Sequence, residues 1–116
     1  MEVIGLLEKF AFKTLDSLFD RFDRELDELF DDLEKLSKNR KYNWLEAESI
    51  LNADRYLNFI IETLMGYALD GNVPKNYVDR ATKLIEKSKV VREFIYDHFE
   101  DVFRRRYTPN FQLEGA

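Results

Sequence analysis

The chain has 116 residues, 45% of them hydrophobic and 15% aromatic, with no cysteine and a formal net charge of −5. That is one domain's worth of sequence, apolar enough to bury a core without a disulfide or a metal, so extensive disorder and thiolate chemistry are excluded. Overall acidity disfavours general nucleic-acid binding, and no apolar run approaches the roughly 20 residues that cross a bilayer.

Helix-breaking residues cluster at only two interior places, 38–43 and 70–74, and leave three long stretches almost free of Gly and Pro. The expected fold is therefore all-α, an up-down-up bundle of three long helices. Residues 1–107 read as a single helical domain and 108–116 as a poorly ordered C-terminal tail.

The first helix is predicted over 2–37. Leu15, Leu18, Phe22, Leu26, Leu29, Leu33 and Leu36 recur at three- and four-residue steps, and Phe12, Phe19 and Phe30 widen that stripe into a core-facing face. The opening MEVIGLLEKFAF has no basic leader and no small-residue cleavage site, so a cytoplasmic chain is expected rather than a secreted one. Val3, Leu6 and Phe10 project away from the stripe that holds Ile4, Leu7 and Ala11, which makes these turns apolar all round. Either a bend near Gly5 or Thr14 turns them into a short extra N-terminal helix folded onto the bundle, or they form a subunit contact. Membrane anchoring would need a Lys/Arg-rich polar face that is absent.

Asn43 followed by Glu46 fits a capping box opening the second helix over 44–69, and Gly71 is expected as a left-handed residue closing it. Ile50, Leu57, Ile61, Leu64 and Ala68 centre its apolar face, with Leu51, Tyr56, Ile60 and Tyr67 around them. A helix this apolar is usually sandwiched between others. Pro74 suits the start of the third helix, predicted to run to Arg106 with Tyr77, Ala81, Leu84, Val91, Ile95 and Val102 as its stripe.

Charge is uneven. Residues 16–34 hold nine acids and two bases, whereas 75–92 hold six bases and two acids. Parallel first and third helices would make these surfaces complementary, within one chain or between chains. The acidic face, Asp20, Asp23, Asp27, Glu28, Asp31 and Glu34, and the apolar Val3, Leu6 and Phe10 are the two candidate partner-binding surfaces. The excess of apolar surface predicts a homodimer and a non-enzymatic interaction protein, with no cofactor, no metal and no membrane.

Asp54 and Arg92 fall where the pattern wants apolar residues. A lone buried charge is costly, so a structural Asp54–Arg92 ion pair is expected between antiparallel helices two and three, with Asn58 or Ser88 completing the hydrogen bonds. His98, the one histidine, lies at the edge of its stripe and reads as a partly buried packing residue. The run from Arg92 to His98, with Glu93, Phe94, Ile95, Tyr96 and Asp97 between, resembles the Arg-x(4–6)-His motif of HEPN-family ribonucleases, helical-bundle proteins that are often dimeric. That resemblance implies phosphodiester cleavage by Arg92 and His98 across a dimer cleft, with Arg104, Arg105 and Arg106 near the RNA; HEPN members commonly have Asn, Asp or His where this chain has Glu93. Glu25 and Glu28 match the first half of the magnesium motif of MazG-like pyrophosphohydrolases, and no second half follows. Nucleic-acid binding through Lys75, Lys83, Lys87 and the three arginines is the remaining alternative.

Overall fold

A helix of 35 residues is about 52 Å long, and helices of 26 and 24 residues about 39 and 36 Å. This mismatch sets the shape of the molecule. A computed structural model describes residues 2–39 and 41–107, with the side chains of 6–39 and 41–104. It places α1 at Glu2–Leu36, α2 at Trp44–Leu69, α3 at Lys75–His98 and α4 at Glu100–Tyr107. Among the described residues all regular structure is helical. The tail 108–116 lies outside them.

The element boundaries follow from local chemistry. At the start of α2, the Asn43 side chain accepts from the Glu46 N–H at 2.8 Å while Glu46 accepts from the Asn43 N–H at 3.1 Å, so two otherwise orphaned donors are satisfied reciprocally. Asn43→Ala is expected to lower the unfolding free energy by about 1 kcal/mol in urea titration.

The stop of α2 differs from expectation. Gly71 is not left-handed, and no described residue has a positive φ. Asp70 instead leaves the helix in an extended conformation, and its side chain accepts from the Asn72 N–H at 2.9 Å. The turn is an Asx turn, which does the work a left-handed glycine would have done. Pro74 then caps α3, its carbonyl accepting from Tyr77 and Val78.

Two further expectations are corrected. There is no separate N-terminal helix, because α1 runs unbroken through Gly5 and Thr14. The short extra helix is at the other end. Phe99, with φ −126° and ψ 27°, breaks the third helix and starts α4. Both Phe99 and Val102 are buried, and Phe99 meets Tyr42 at 5.5 Å between ring centroids. An uninterrupted helix would have run on past the shorter α2. The break folds it back against α2, and Glu100 and Asp101 then sit at the favourable positive end of the new helix dipole.

The core is one cluster drawn from all four helices. Leu15, Phe22, Leu26 and Leu33 of the α1 stripe are buried, and so is Phe19, the flanking residue that lies deepest. Leu57, Ile60 and Leu64 supply the centre of α2, and Ala81, Val91 and Ile95 that of α3. Buried Ser88 is satisfied within its own helix by the Leu84 carbonyl at 2.7 Å.

The contacts between α1 and α3 advance in step along both helices. Phe12 stacks on Tyr77, Asp16 pairs with Arg80, Asp23 with Lys87, and Phe30 packs on Phe94. The α2 partners run the other way, with Phe19 of α1 against Tyr67 and Glu25 bonded to Tyr56. The position of α1 is thus fixed mainly on α3, and its first turns reach beyond the turn that joins α2 to α3.

Candidate functional site

Of the two candidate surfaces, the apolar first turns of α1 are exposed. Leu6 is 54% exposed, Leu7 62% and Phe10 65%. The side chain of Val3 lies outside the described residues. Backbone hydrogen bonding continues through this segment as ordinary α-helix, and the Thr14 hydroxyl donates to the Phe10 carbonyl at 2.8 Å. Phe12, stacked 5.5 Å from Tyr77, marks where the bundle begins. Leu7 was expected to share the core-facing stripe, but α2 and α3 are too short to provide anything for it to meet. The signal that could have revealed this is the difference in predicted helix lengths.

The acidic face divides in two. Arg80 bridges Asp16 at 2.7 Å and Asp20 at 3.0 Å, with its guanidinium 5.3 Å from the centre of the Phe19 ring. Lys87 bridges Asp23 and Asp27, each at 2.6 Å. Partial burial alone would lower the Lys87 pKa, but the hydrogen bonds and charges of Asp23 and Asp27 outweigh it and hold the ammonium above its usual range. Asp20, Asp23 and Asp27 are therefore engaged within the chain. Farther along, among the described residues Asp31 pairs with Lys35 one turn away, at 3.1 Å. Glu28 and Glu34 are exposed and form no ion pair with a described residue. The surface left for a basic partner is the narrower group of Glu28, Asp31 and Glu34.

The arrangement also accounts for much of the basic surface. Lys87 is held by α1, and Arg104 pairs with Glu100 at 2.9 Å. Lys75 and Lys83 are exposed; the side chains of Arg105 and Arg106 lie outside the described residues.

Between α1 and α2, Glu25 accepts from the Tyr56 hydroxyl and, at 3.1 Å, from the Arg21 Nε. Burial first, then the bond to Glu25, push the Tyr56 phenol above its ordinary pKa while Arg21 pulls it down. This triad binds one helix to the next. It also gives Glu25 a structural role.

The expected Asp54–Arg92 pair does not form. Arg92 Nη1 donates to Asn58 Oδ1 at 2.8 Å, and Asp54 Oδ1 is buried without a hydrogen-bond partner. Asp54 and Asn58 are one helical turn apart, and the guanidinium takes the partner nearer the α2 C-terminus. Arg92 and His98 are not brought together either. Arg92 reaches toward α2, whereas the His98 ring stacks on Phe94 at 4.0 Å, on the edge that meets Phe30 of α1. His98 is exposed rather than partly buried, with Nδ1 3.0 Å from the Phe94 carbonyl oxygen. Six residues along a helix turn a side chain about 120° from its starting direction at 100° per residue, which is why one chain does not aim both groups at one point.

Among the described residues no group of three or more His, Cys, Asp or Glu is placed to hold a metal ion, and no helix is long and apolar enough to cross a membrane. Comparison with known proteins finds no matching family, no similar characterised protein and no similar solved structure.

Proposed function

We propose that this chain is a small, non-enzymatic interaction protein, an adaptor, regulator or subunit of a larger complex, acting in the cytoplasm through protein–protein contacts. The observation that carries this reading is the row of exposed apolar side chains Leu6, Leu7 and Phe10 on an ordered helix. Contiguous exposed apolar patches are a common mark of binding surfaces. Glu28, Asp31 and Glu34 form a second, electrostatic surface suited to steering a basic partner. The reading includes an up-down-up topology, supported by the in-step contacts of α1 with α3, and self-association through the apolar end.

The test is recovery of the protein from its native cells after mild crosslinking, with and without Leu6→Glu and Phe10→Glu together. A protein partner recovered in near-equal amounts, whether another chain or a second copy, and lost with the double variant is expected. Recovery of no protein partner overturns the reading. So does cleavage of mixed RNA by the purified protein that disappears in His98→Ala, since the HEPN-like alternative requires that histidine.

A further inference from the structure

We propose that the outer face of α2 pairs with the same face of a second copy of this chain, antiparallel, in a two-helix seam centred at the level of Leu57. This goes beyond the interaction reading above and uses a surface apart from the apolar end of α1.

The face is built at coiled-coil spacing. Positions 45, 48, 52, 55, 59, 62, 66 and 69 follow one another at alternating steps of three and four, the repeat that keeps two helices in contact along their length. At about 100° per residue, the buried Ile50, Leu57 and Leu64 lie on the opposite side of α2. Every position of the row is exposed except half-buried Glu48. Leu69 is 79% exposed, and Trp44, beside the start of the row, 77%. Gly66 lies inside α2, where glycine weakens a helix relative to alanine. A Cβ added there would meet nothing within 4 Å beyond its own stretch of backbone. Its missing side chain relieves no clash within the chain and leaves room for a second helix.

The occupant is a second copy because the row complements its own reversal. In the antiparallel pairing Leu45 meets Leu69 at either end, and Glu48 enters the space over Gly66. Asn52 meets Glu62 and Arg55 meets Phe59, each twice by symmetry. Arg55 already donates to Asn52 Oδ1 at 3.0 Å, which leaves the Asn52 amide to donate to the Glu62 carboxylate across the seam. The Arg55 guanidinium then lies over the Phe59 ring, with Glu62 of the second copy within one turn. Neither Arg55 nor Glu62 forms an ion pair with a described residue of its own chain. A parallel pairing would instead lay Glu48, Arg55 and Glu62 on their own copies, three repulsive contacts. Sliding the antiparallel pairing by one heptad sets Leu45 on Glu62, or strands Leu45 and Trp44 in water. The order of residues in the row sets both direction and register.

The size of the seam is sufficient. Trp44, Leu45, Phe59 and Leu69 present on the order of 600 Å² per copy, and twice that reaches the roughly 1,200 Å² at which stable interfaces begin. Asn52, Arg55 and Glu62 add to it. The pairing also sends the two apolar α1 ends to opposite extremes of the dimer, since α1 runs against α2 within each copy. Each stays open to a further partner.

Sedimentation equilibrium across a dilution series tests this, joined to spin–spin distance measurement on Ser49→Cys labelled with a nitroxide. Ser49 is exposed on α2 beside the seam, and the chain has no other cysteine. The expected result is a monomer–dimer equilibrium whose dissociation constant rises at least tenfold in Phe59→Glu, with an unchanged helical circular dichroism signal. Arg55→Glu and Glu62→Arg should each weaken the dimer, and the two together should bind more tightly than either alone. Seven residues apart on one helix, they reach each other only across the seam. The antiparallel pairing separates the two labels by roughly 25 Å along the axis, and a parallel one leaves them within about 10 Å. A wild-type chain that stays monomeric at millimolar concentration overturns the proposal, even if a different protein is captured from cells through Phe59. So does a label separation near 10 Å, or a charge swap no better than its single variants. If the dimer survives Phe59→Glu and is lost in the Leu6→Glu, Phe10→Glu variant, the α2 face fails as the seam and the interaction reading stands.

Discussion

Phe19→Ala is expected to lower the unfolding free energy by about 3–5 kcal/mol, measured by urea titration followed at 222 nm. Phe19 is fully buried and sits where three helices meet. Its ring packs edge-on against Tyr67 of α2 at 5.9 Å and tilted against Tyr77 of α3 at 6.2 Å. The Arg80 guanidinium lies over the ring while its ends bridge Asp16 and Asp20. Truncation thus removes packing from all three helices and also the surface on which the arginine rests. Against a typical total of about 5–15 kcal/mol, such a loss would leave a substantial unfolded fraction under mild heating. Phe10→Ala is the control. The same residue type, nine positions earlier on the same helix, is 65% exposed, and its truncation should change monomer stability by less than about 0.5 kcal/mol. Equal losses at the two positions would mean that α1 sits on the bundle differently.

The contrast between these phenylalanines shows how far the sequence could be read. Periodicity placed the stripe of α1, and the capping box at Asn43 placed the start of α2, because both are local patterns whose cause lies within a few residues. Phe19 read as a flank because a wheel drawn for one helix does not know that Tyr67 and Tyr77 converge on that side. Leu7 read as core because the wheel does not know where the neighbouring helices end. The Phe99 break was hidden for the same reason. Nothing in the run from Asp97 to Val102 breaks a helix by propensity, and the bend is the way Phe99 and Val102 gain burial against a shorter α2. Opposite charge on the first and third helices was legible as a block, but the division of aspartates between Arg80 and Lys87 required the register of one helix on the other. The residues proposed for chemistry were legible only as anomalies in a pattern. Their partners depended on distances that spacing along one helix does not supply.

The anomaly at Asp54 yields the second large effect. Replacing a carboxylate expected to sit in an ion pair should destabilise the fold. Here Asp54→Leu is expected to stabilise it, by about 1–2 kcal/mol, because Asp54 Oδ1 is buried with no donor to meet it and an apolar group would not carry that desolvation penalty. Its neighbours on α2 at positions 50, 51, 53, 57 and 61 are all buried apolar residues, so leucine extends a surface already present. Arg92→Leu should act in the opposite direction and cost about 1–3 kcal/mol, since it abandons the part-buried Asn58 Oδ1 that now accepts from it at 2.8 Å. Double-mutant cycles separate the two ideas cleanly. Asn58 and Arg92 should show a coupling of about 1 kcal/mol or more, while Asp54 and Arg92 should be additive within about 0.5 kcal/mol. A strong Asp54–Arg92 coupling would mean that the guanidinium serves the carboxylate in solution. The stabilising sign would then reverse, because leucine at position 54 would strand Arg92 instead of relieving an orphaned oxygen.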